Sequence, residues 1–303
     1  MSLITRDIGR AVHSLRNGGL VAVPTETVYG LAADATNTEA VQRIFDVKGR
    51  PTGHPLIVHL AHPGDIDAWS TSPSSTARRL ADLAWPGPLT LIVERSPIVP
   101  DNVTGGRSTV GLRVPSHPML HELLDRFGGG LAAPSANRFG AVSPTSAEHV
   151  FADIGDILDS ARDLILDGGP SAIGLESTIV DTTVDPPQLL RSGPISTDEI
   201  GALAAPTGPS RASGMLASHY APRCEVRLVD HIDDAMALRA GTPGARVLDR
   251  SDDLIRFAHT LYAELRAADA DAVSTLIIVL PPPAGLGLAI RDRLDKAAAP
   301  RPR

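Results

Sequence analysis

Two cations flank a glycine in Lys48-Gly49-Arg50, a proline follows, and the apolar run Leu56-Ile57-Val58-His59-Leu60 carries a histidine. Cations beside glycine suit phosphate groups, yet the chain has no phosphate-loop pattern. Of 28 cationic residues only Lys48 and Lys296 are lysine. A lysine kept in so arginine-rich a chain fits a site that wants a compact ammonium rather than a planar fork. A solvated helix terminus with favourable C-terminal charge is the other reading. Comparable residues recur at the ends of apolar runs. Thr25, Glu26 and Thr27 follow Pro24, where open α/β sheets bind ligands, although hydroxyls there could equally cap a helix. Arg113 lies within an apolar run beside Thr109. A buried arginine needs a partner, either a structural carboxylate or an anionic ligand. Ser135, Asn137 and Ser143 precede a helix start, Gly-rich 168–174 leads into Glu176-Ser177-Thr178, and Arg191 ends a further run. His59 and His62 do not converge at strand spacing, and His117 with His121 at helical spacing lack a third ligand, so no metal site is expected.

These groups must be carried by a sheet. Strands are expected at 19–23, 56–60, 89–94, 109–114, 131–133, 164–167, 177–181 and 188–191. Helices are expected at 4–16, 37–47, 74–84, 116–127, 145–153 and 197–204. Several strands are apolar throughout, as in a sheet covered on both faces, and some follow one another without a helix, so the sheet should be mixed. The stretch 204–222 has the Pro, Gly, Ser and Ala content of a linker. Beyond it, strand and helix alternate three times, the pattern of a small doubly wound unit.

The length, 303 residues, corresponds to roughly two domains. The apolar fraction of 43% fills an ordinary core, and the C-terminal run Leu276–Leu280 is far short of a membrane span. The N-terminus lacks the apolar stretch of a signal peptide. One cysteine, Cys224, builds neither an intramolecular disulfide nor a cysteine zinc site. These features fit a soluble cytoplasmic protein. Residues 1–205 carry 15 Lys and Arg against 23 Asp and Glu, which is no autonomous nucleic-acid module.

The segments PTETVYGLAAD, KGRPTGHPLIVHL, WPGPLTLIV, STVGLRVP, APSANRFGAVSPT, DGGPSAIGLESTIVD and LLRSGPI, in this order, resemble the threonylcarbamoyl-AMP synthase family with its YrdC-like catalytic domain. SGMLASHYAP (213–222) and GLGLAIRDRLDKAA (285–298) resemble its long form. The resemblance implies a YrdC-like twisted mixed sheet flanked by helices over 1–204, a linker or lid at 205–222 and a small Rossmann-like α/β domain at 223–303. It implies that L-threonine, bicarbonate or carbon dioxide, and ATP with Mg²⁺ yield threonylcarbamoyl-AMP and pyrophosphate. The product would feed a tRNA-modifying threonylcarbamoyl transferase complex that forms N6-threonylcarbamoyladenosine. By position, Lys48 and Arg50 would serve the phosphates as catalytic cations. Thr27, His59, Arg113, Ala133 and Ser177 would form the threonine site. Arg50, His54, Thr109, Ser135, Asn137 and Ser143, with Arg191 and Tyr220, would surround ATP. His54 stands where the motif often has Asn, and Ser171 where it often has Cys.

Two other functions share the catalytic domain. A hydrogenase-maturation carbamoyltransferase needs zinc fingers that one cysteine cannot build. A double-stranded RNA-binding module of the YrdC type would depend on a local cationic cleft within an acidic half, so RNA binding is expected to be weak.

Overall fold

A computed structural model of the chain describes residues 2–201, 203–205 and 220–300. Ten strands form the larger sheet: β1 (Ile4–Thr5), β2 (Val21–Val23), β3 (Gly30–Asp34), β4 (Ile57–His59), β5 (Leu89–Glu94), β6 (Thr109–Arg113), β7 (Leu131–Ala132), β8 (Leu164–Leu166), β9 (Thr178–Asp181) and β10 (Gln188–Arg191). Their order is β1-β8-β2-β3-β7-β4-β6-β5-β9-β10. The sheet is mixed: β4 runs parallel to β6 and antiparallel to β7. Around it lie α1 (Ile8–Arg16), α2 (Thr38–Lys48), α3 (Ile66–Trp69), α4 (Ser75–Ala84), α5 (Asp101–Thr104), α6 (Pro118–Phe127), α7 (Ala147–Ile154) and α8 (Thr197–Ile200). The smaller unit is β11 (Glu225–Val229), α9 (Ile232–Ala240), β12 (Ala245–Leu248), α10 (Leu254–Ala270), β13 (Thr275–Val279) and α11 (Leu286–Ala298).

Three local expectations change. The first helix begins at Ile8, not at residue 4. Asp7 caps it by accepting from the Arg10 N–H at 3.0 Å, and the chain before it pairs with β8 as a sheet edge. Gly30–Asp34 is a strand, antiparallel to β2, where no element was expected. The helix expected over 197–204 ends at Ile200, before Gly201, whose φ of 91° lies in the region that favours glycine. Most of the linker expected over 205–222, including Met215 and His219, lies outside the described residues.

Alternation along the strands sorts the larger core into two faces. Ala22, Leu31, Ala33, Val58, Leu91 and Leu112 point into one cluster with α2, α4 and α7. Val21, Val23, Ala32, Leu131 and Leu164 point to the other face, where Leu15 of α1 and Leu120 and Leu124 of α6 cover them. That second cover ends partway across the sheet. Further along, the small cluster of Ile57, Ile92, Ile179 and Leu190 contains no helical residue. The uncovered half is where a ligand has room.

In the smaller unit β13 lies between β11 and β12, all parallel. The step from β11 to β12 passes over the central position, and the step to β13 comes back. Right-handed crossovers then place the two connecting helices on opposite faces. The packing agrees: Ala235 of α9 meets Ile277 and Val279, whereas Phe257, Leu261 and Leu265 of α10 pack with Leu276 and Ile278.

Candidate active site

The site lies at the strand ends of this uncovered half. His59 and Arg113 are direct neighbours across the parallel pair β4–β6, so both side chains leave the sheet on one face. The turn after β2 closes over them. Thr25 Oγ1 accepts from the N–H groups of Thr27 and Val28, at 3.0 Å each, and is 2.6 Å from Val28 O. This hydroxyl-held turn fixes Glu26 and Thr27. Arg113 Nη2 lies 2.8 Å from Glu26 Oε1, Nη1 donates to Thr27 Oγ1 at 2.9 Å, and Nε donates to Gly87 O at 3.2 Å. The partner that a buried Arg113 requires is thus a structural carboxylate. Burial pushes the Glu26 carboxyl up, but the charge and hydrogen bonds of Arg113 outweigh that, and the net shift is downward. Burial, then the Arg113 charge, pushes His59 down to about 3. Its imidazole is therefore neutral at physiological pH. Its Nδ1 is buried with no hydrogen-bond partner among the described residues.

Lys48 and Arg50 are separated by the end of α2. Gly49 takes a left-handed conformation (φ 62°), and the Arg50 N–H turns back to Phe45 O at 3.0 Å. The two cations consequently diverge. Lys48 is buried, and its Nζ donates to the carbonyls of Ser135 and Asn137 at 2.5 Å each. Burial, then the nearby Arg50 charge, pulls its pKa well down. Arg50 Nη2 donates to Pro55 O at 3.0 Å, and its guanidinium sits 5.7 Å from the Phe139 ring centroid. Burial lowers its pKa to about 10, so it remains a cation at neutral pH.

The opposite wall comes from β9 and β10. Arg191 Nε and Nη2 donate to Ser177 O and Oγ, at 3.0 Å each, and the Ser177 and Thr90 hydroxyls are 2.7 Å apart. Beside it, Glu176 accepts from Ser143 Oγ at 2.7 Å and from Tyr262 Oη at 2.8 Å. Tyr220, also buried, takes φ 61°, a strained conformation for a bulky residue.

One cavity unites much of this. Thr27, His59, Arg113, Ala133 and Ser177 line it, as do Arg50, Ser135, Arg191 and Tyr220. Lys48, His54, Thr109, Asn137 and Ser143 do not. Lys48 and the Asn137 carbonyl lie behind the Ser135 wall. His54 packs edge-on against Phe139 with ring centroids 5.4 Å apart. Thr109 starts β6, four residues from Arg113. Thr25 and Glu176 also line the cavity, outside the set carried over from the family resemblance, as do Gly30 and Ile57. The positions of Glu26 and Glu176, beside the hydroxyls of the motifs, were the available signal.

Comparison with known proteins identifies the family. Residues 13–193 match the Sua5, YciO and YrdC family model described as "Telomere recombination". Residues 195–299 match the model described as "Threonylcarbamoyl-AMP synthase, C-terminal domain". The threonylcarbamoyl-AMP synthase of Pyrococcus abyssi is 37% identical, aligned over 96% of this chain and 94% of its own length. That of Bacillus subtilis is also 37% identical, over 97% and 93%. The solved structure of Pyrococcus abyssi Sua5 complexed with L-threonine superposes with a TM-score of 0.89 at 35% identity, covering 98% of this chain and 96% of that one. With two family models spanning nearly its whole length and relatives at this identity, the chain belongs to the threonylcarbamoyl-AMP synthase family, in the long form with a second, smaller domain.

Proposed function

We infer that this chain is an L-threonylcarbamoyladenylate synthase, which combines L-threonine, bicarbonate or carbon dioxide, and ATP into threonylcarbamoyl-AMP and pyrophosphate. The observation that carries this reading is one cavity lined by Arg50 and Arg191 together with Arg113, His59 and Thr27 in a half-chain of acidic balance. The solved Pyrococcus abyssi relative is complexed with L-threonine, and we place threonine here beside Arg113. Three of the five Arg113 N–H groups meet Glu26, Thr27 and Gly87, and the two left suit a carboxylate. His59, kept neutral, offers a hydrogen bond without adding charge. Arg50 and Arg191 take the nucleotide phosphates as fixed cations, and transfer at the α-phosphorus needs mainly such positioning and charge stabilisation. The carbamate formed on the threonine nitrogen attacks that phosphorus, and pyrophosphate leaves.

Lys48 acts on this chemistry from behind, by holding the Ser135–Asn137 segment. Mg²⁺ accompanies ATP. Glu26 is ion-paired with Arg113, Glu176 already accepts from protein donors, and the described residues hold no group of three His, Cys, Asp or Glu able to bind a metal, so the ion fits as one carried by the phosphates. The product passes to a tRNA-modifying threonylcarbamoyl transferase complex in the cytoplasm. Among the described residues no helix is long and apolar enough to cross a membrane. The RNA-binding reading has no comparable support. Pyrophosphate release from ATP and bicarbonate, measured with and without L-threonine, tests the assignment. Release that ignores threonine contradicts it.

A further inference from the structure

The smaller domain reaches the active site with buried polar groups. Arg293 of α11 is fully buried, and its Nε donates to Glu176 Oε2 at 2.8 Å. Tyr262 of α10 donates its hydroxyl to the same oxygen at 2.8 Å, and Ser143 Oγ donates to Oε1 at 2.7 Å. Both oxygens of Glu176 are thereby engaged, although the residue lines the cavity. The Arg293 guanidinium is itself held: Nη1 donates to Asp292 at 2.5 Å, and Asp292 pairs with Lys296 at 2.8 Å. The Tyr220 ring lies 5.6 Å from that guanidinium and is stacked at 5.6 Å on Tyr262. At the same junction, Gly174 takes φ 83°, and a Cβ there would lie 2.6 Å from Ala258 O.

A carboxylate so placed is a poor base and a poor metal ligand, because three of its roughly four lone-pair sites already accept protein donors. Its value is positional. It is the residue before Ser177, whose hydroxyl and carbonyl receive Arg191, and it fastens Ser143 from the facing loop. We propose that Arg293 and Tyr262 are positioning residues of the active site, holding Glu176 from the smaller domain so that Ser177 and Ser143 keep their places. This rests on the cavity being the site of synthesis. It makes the smaller domain a part of the catalytic frame.

The groups facing Glu176 are Arg293, with Asp292 behind it, Tyr262, Tyr220, Arg191 and the Ser143 hydroxyl. Burial pushes the Glu176 carboxyl up, but Arg293 and then Arg191 outweigh it and leave it at about 2. Removing the Arg293 charge leaves an undercompensated buried carboxylate, which takes up a proton at higher pH. The test compares Arg293→Met, Tyr262→Phe, Glu176→Gln and the double variant Arg293→Met/Glu176→Gln by kcat/KM for L-threonine across pH. Relative to wild type, Arg293→Met should lose ~10-fold or more on going from pH 8 to pH 6, an acid limb created by a carboxyl whose pKa has risen. Tyr262→Phe, which keeps the charge pair, should lose only a few-fold, as for one hydrogen bond. Glu176→Gln on the Arg293→Met background should erase the acid limb and bring kcat/KM to within ~3-fold of Glu176→Gln alone, the non-additivity of a contacting pair. A double variant that keeps the acid limb, or an Arg293→Met profile parallel to wild type, overturns the proposal. Urea unfolding against pH provides a readout free of activity. Arg293→Met should be destabilised relative to its double variant at pH 8, where the unpaired carboxylate is charged, and the gap should close as pH falls and the carboxyl takes up a proton; curves that coincide at pH 8 count against the clamp. If wild type lacks threonine-dependent turnover, the assignment of the reaction fails while the unfolding curves still judge the clamp.

Discussion

Arg113 shows how a residue can be both paired and available. Glu26 balances its charge at 2.8 Å, so the guanidinium is tolerated in an apolar strand before any substrate arrives, and the remaining N–H groups are left for the carboxylate that we propose binds there. Arg113→Ala should therefore raise KM for L-threonine more than KM for ATP, measured by pyrophosphate release. Equal increases would make its role purely structural. The same variant leaves Glu26 buried without its cation and should cost ~3 kcal/mol or more of stability. His59 carries the second residue-scale expectation. Its pKa is lowered to about 3 by burial and by Arg113, so the native state excludes a proton that the unfolded chain accepts near 6.5. Its contribution to stability is complete above the unfolded value and is lost as pH falls from there toward about 3. The His59 ring resonances should stay unchanged between pH 5 and 8 by NMR, and a midpoint near 6.5 would contradict the buried, neutral imidazole. The sequence indicated Arg113 and His59 because both interrupt apolar runs. It left open whether the Arg113 partner is a protein carboxylate, since nothing in the order of residues shows that the Thr25 turn brings Glu26 across to β6.

The element that joins the cations to the opposite wall is the end of α2. Helix propensity and the left-handed Gly49 put Lys48 in the last turn and Arg50 just past it. One residue of glycine then sends the two charges apart, Arg50 to the cavity and Lys48 to the carbonyls of Ser135 and Asn137. Lys48→Arg keeps the charge but offers a planar fork where two short N–H···O bonds converge on one nitrogen. The variant should melt lower, by roughly 1–3 kcal/mol for the strained or lost buried bonds, and bind ATP more weakly. Wild-type stability and KM for ATP would show that any cation suffices. The motif made Lys48 visible, but its direct partners are main-chain atoms, which carry no residue signature. The β3 strand was missed for a related reason: Gly30-Leu31-Ala32-Ala33 is small and weakly patterned, and its pairing with β2 comes from tertiary context.

At the scale of the molecule, the domains share a core as well as charges. Val28, Val142 and Leu175 of the larger unit pack with Phe257 and Leu261 of the smaller. Arg266 of α10 pairs with Asp153 of α7 and reaches the carbonyls of Val142 and Ser143. Asp153→Ala should loosen this second tie, splitting or broadening the calorimetric transition and lowering its midpoint, whereas an unchanged single transition would mean that the apolar contact alone couples the units. Alternation and helical spacing made both sheets legible, and the ordered motif set revealed the family. The contacts between units were not legible, because Arg266 and Arg293 look like ordinary charges on amphipathic helices until the domains are docked. The proposed function stands on threonine-dependent chemistry at the cavity of Arg50, Arg113 and Arg191. Its most direct test is pyrophosphate release by the purified chain with ATP, Mg²⁺ and bicarbonate, with L-threonine present or omitted. Release should require L-threonine, with some activity on serine because one methyl group contributes only ~1–3 kcal/mol of discrimination. Release at the same rate without an amino acid, or a wide preference for serine, would contradict it.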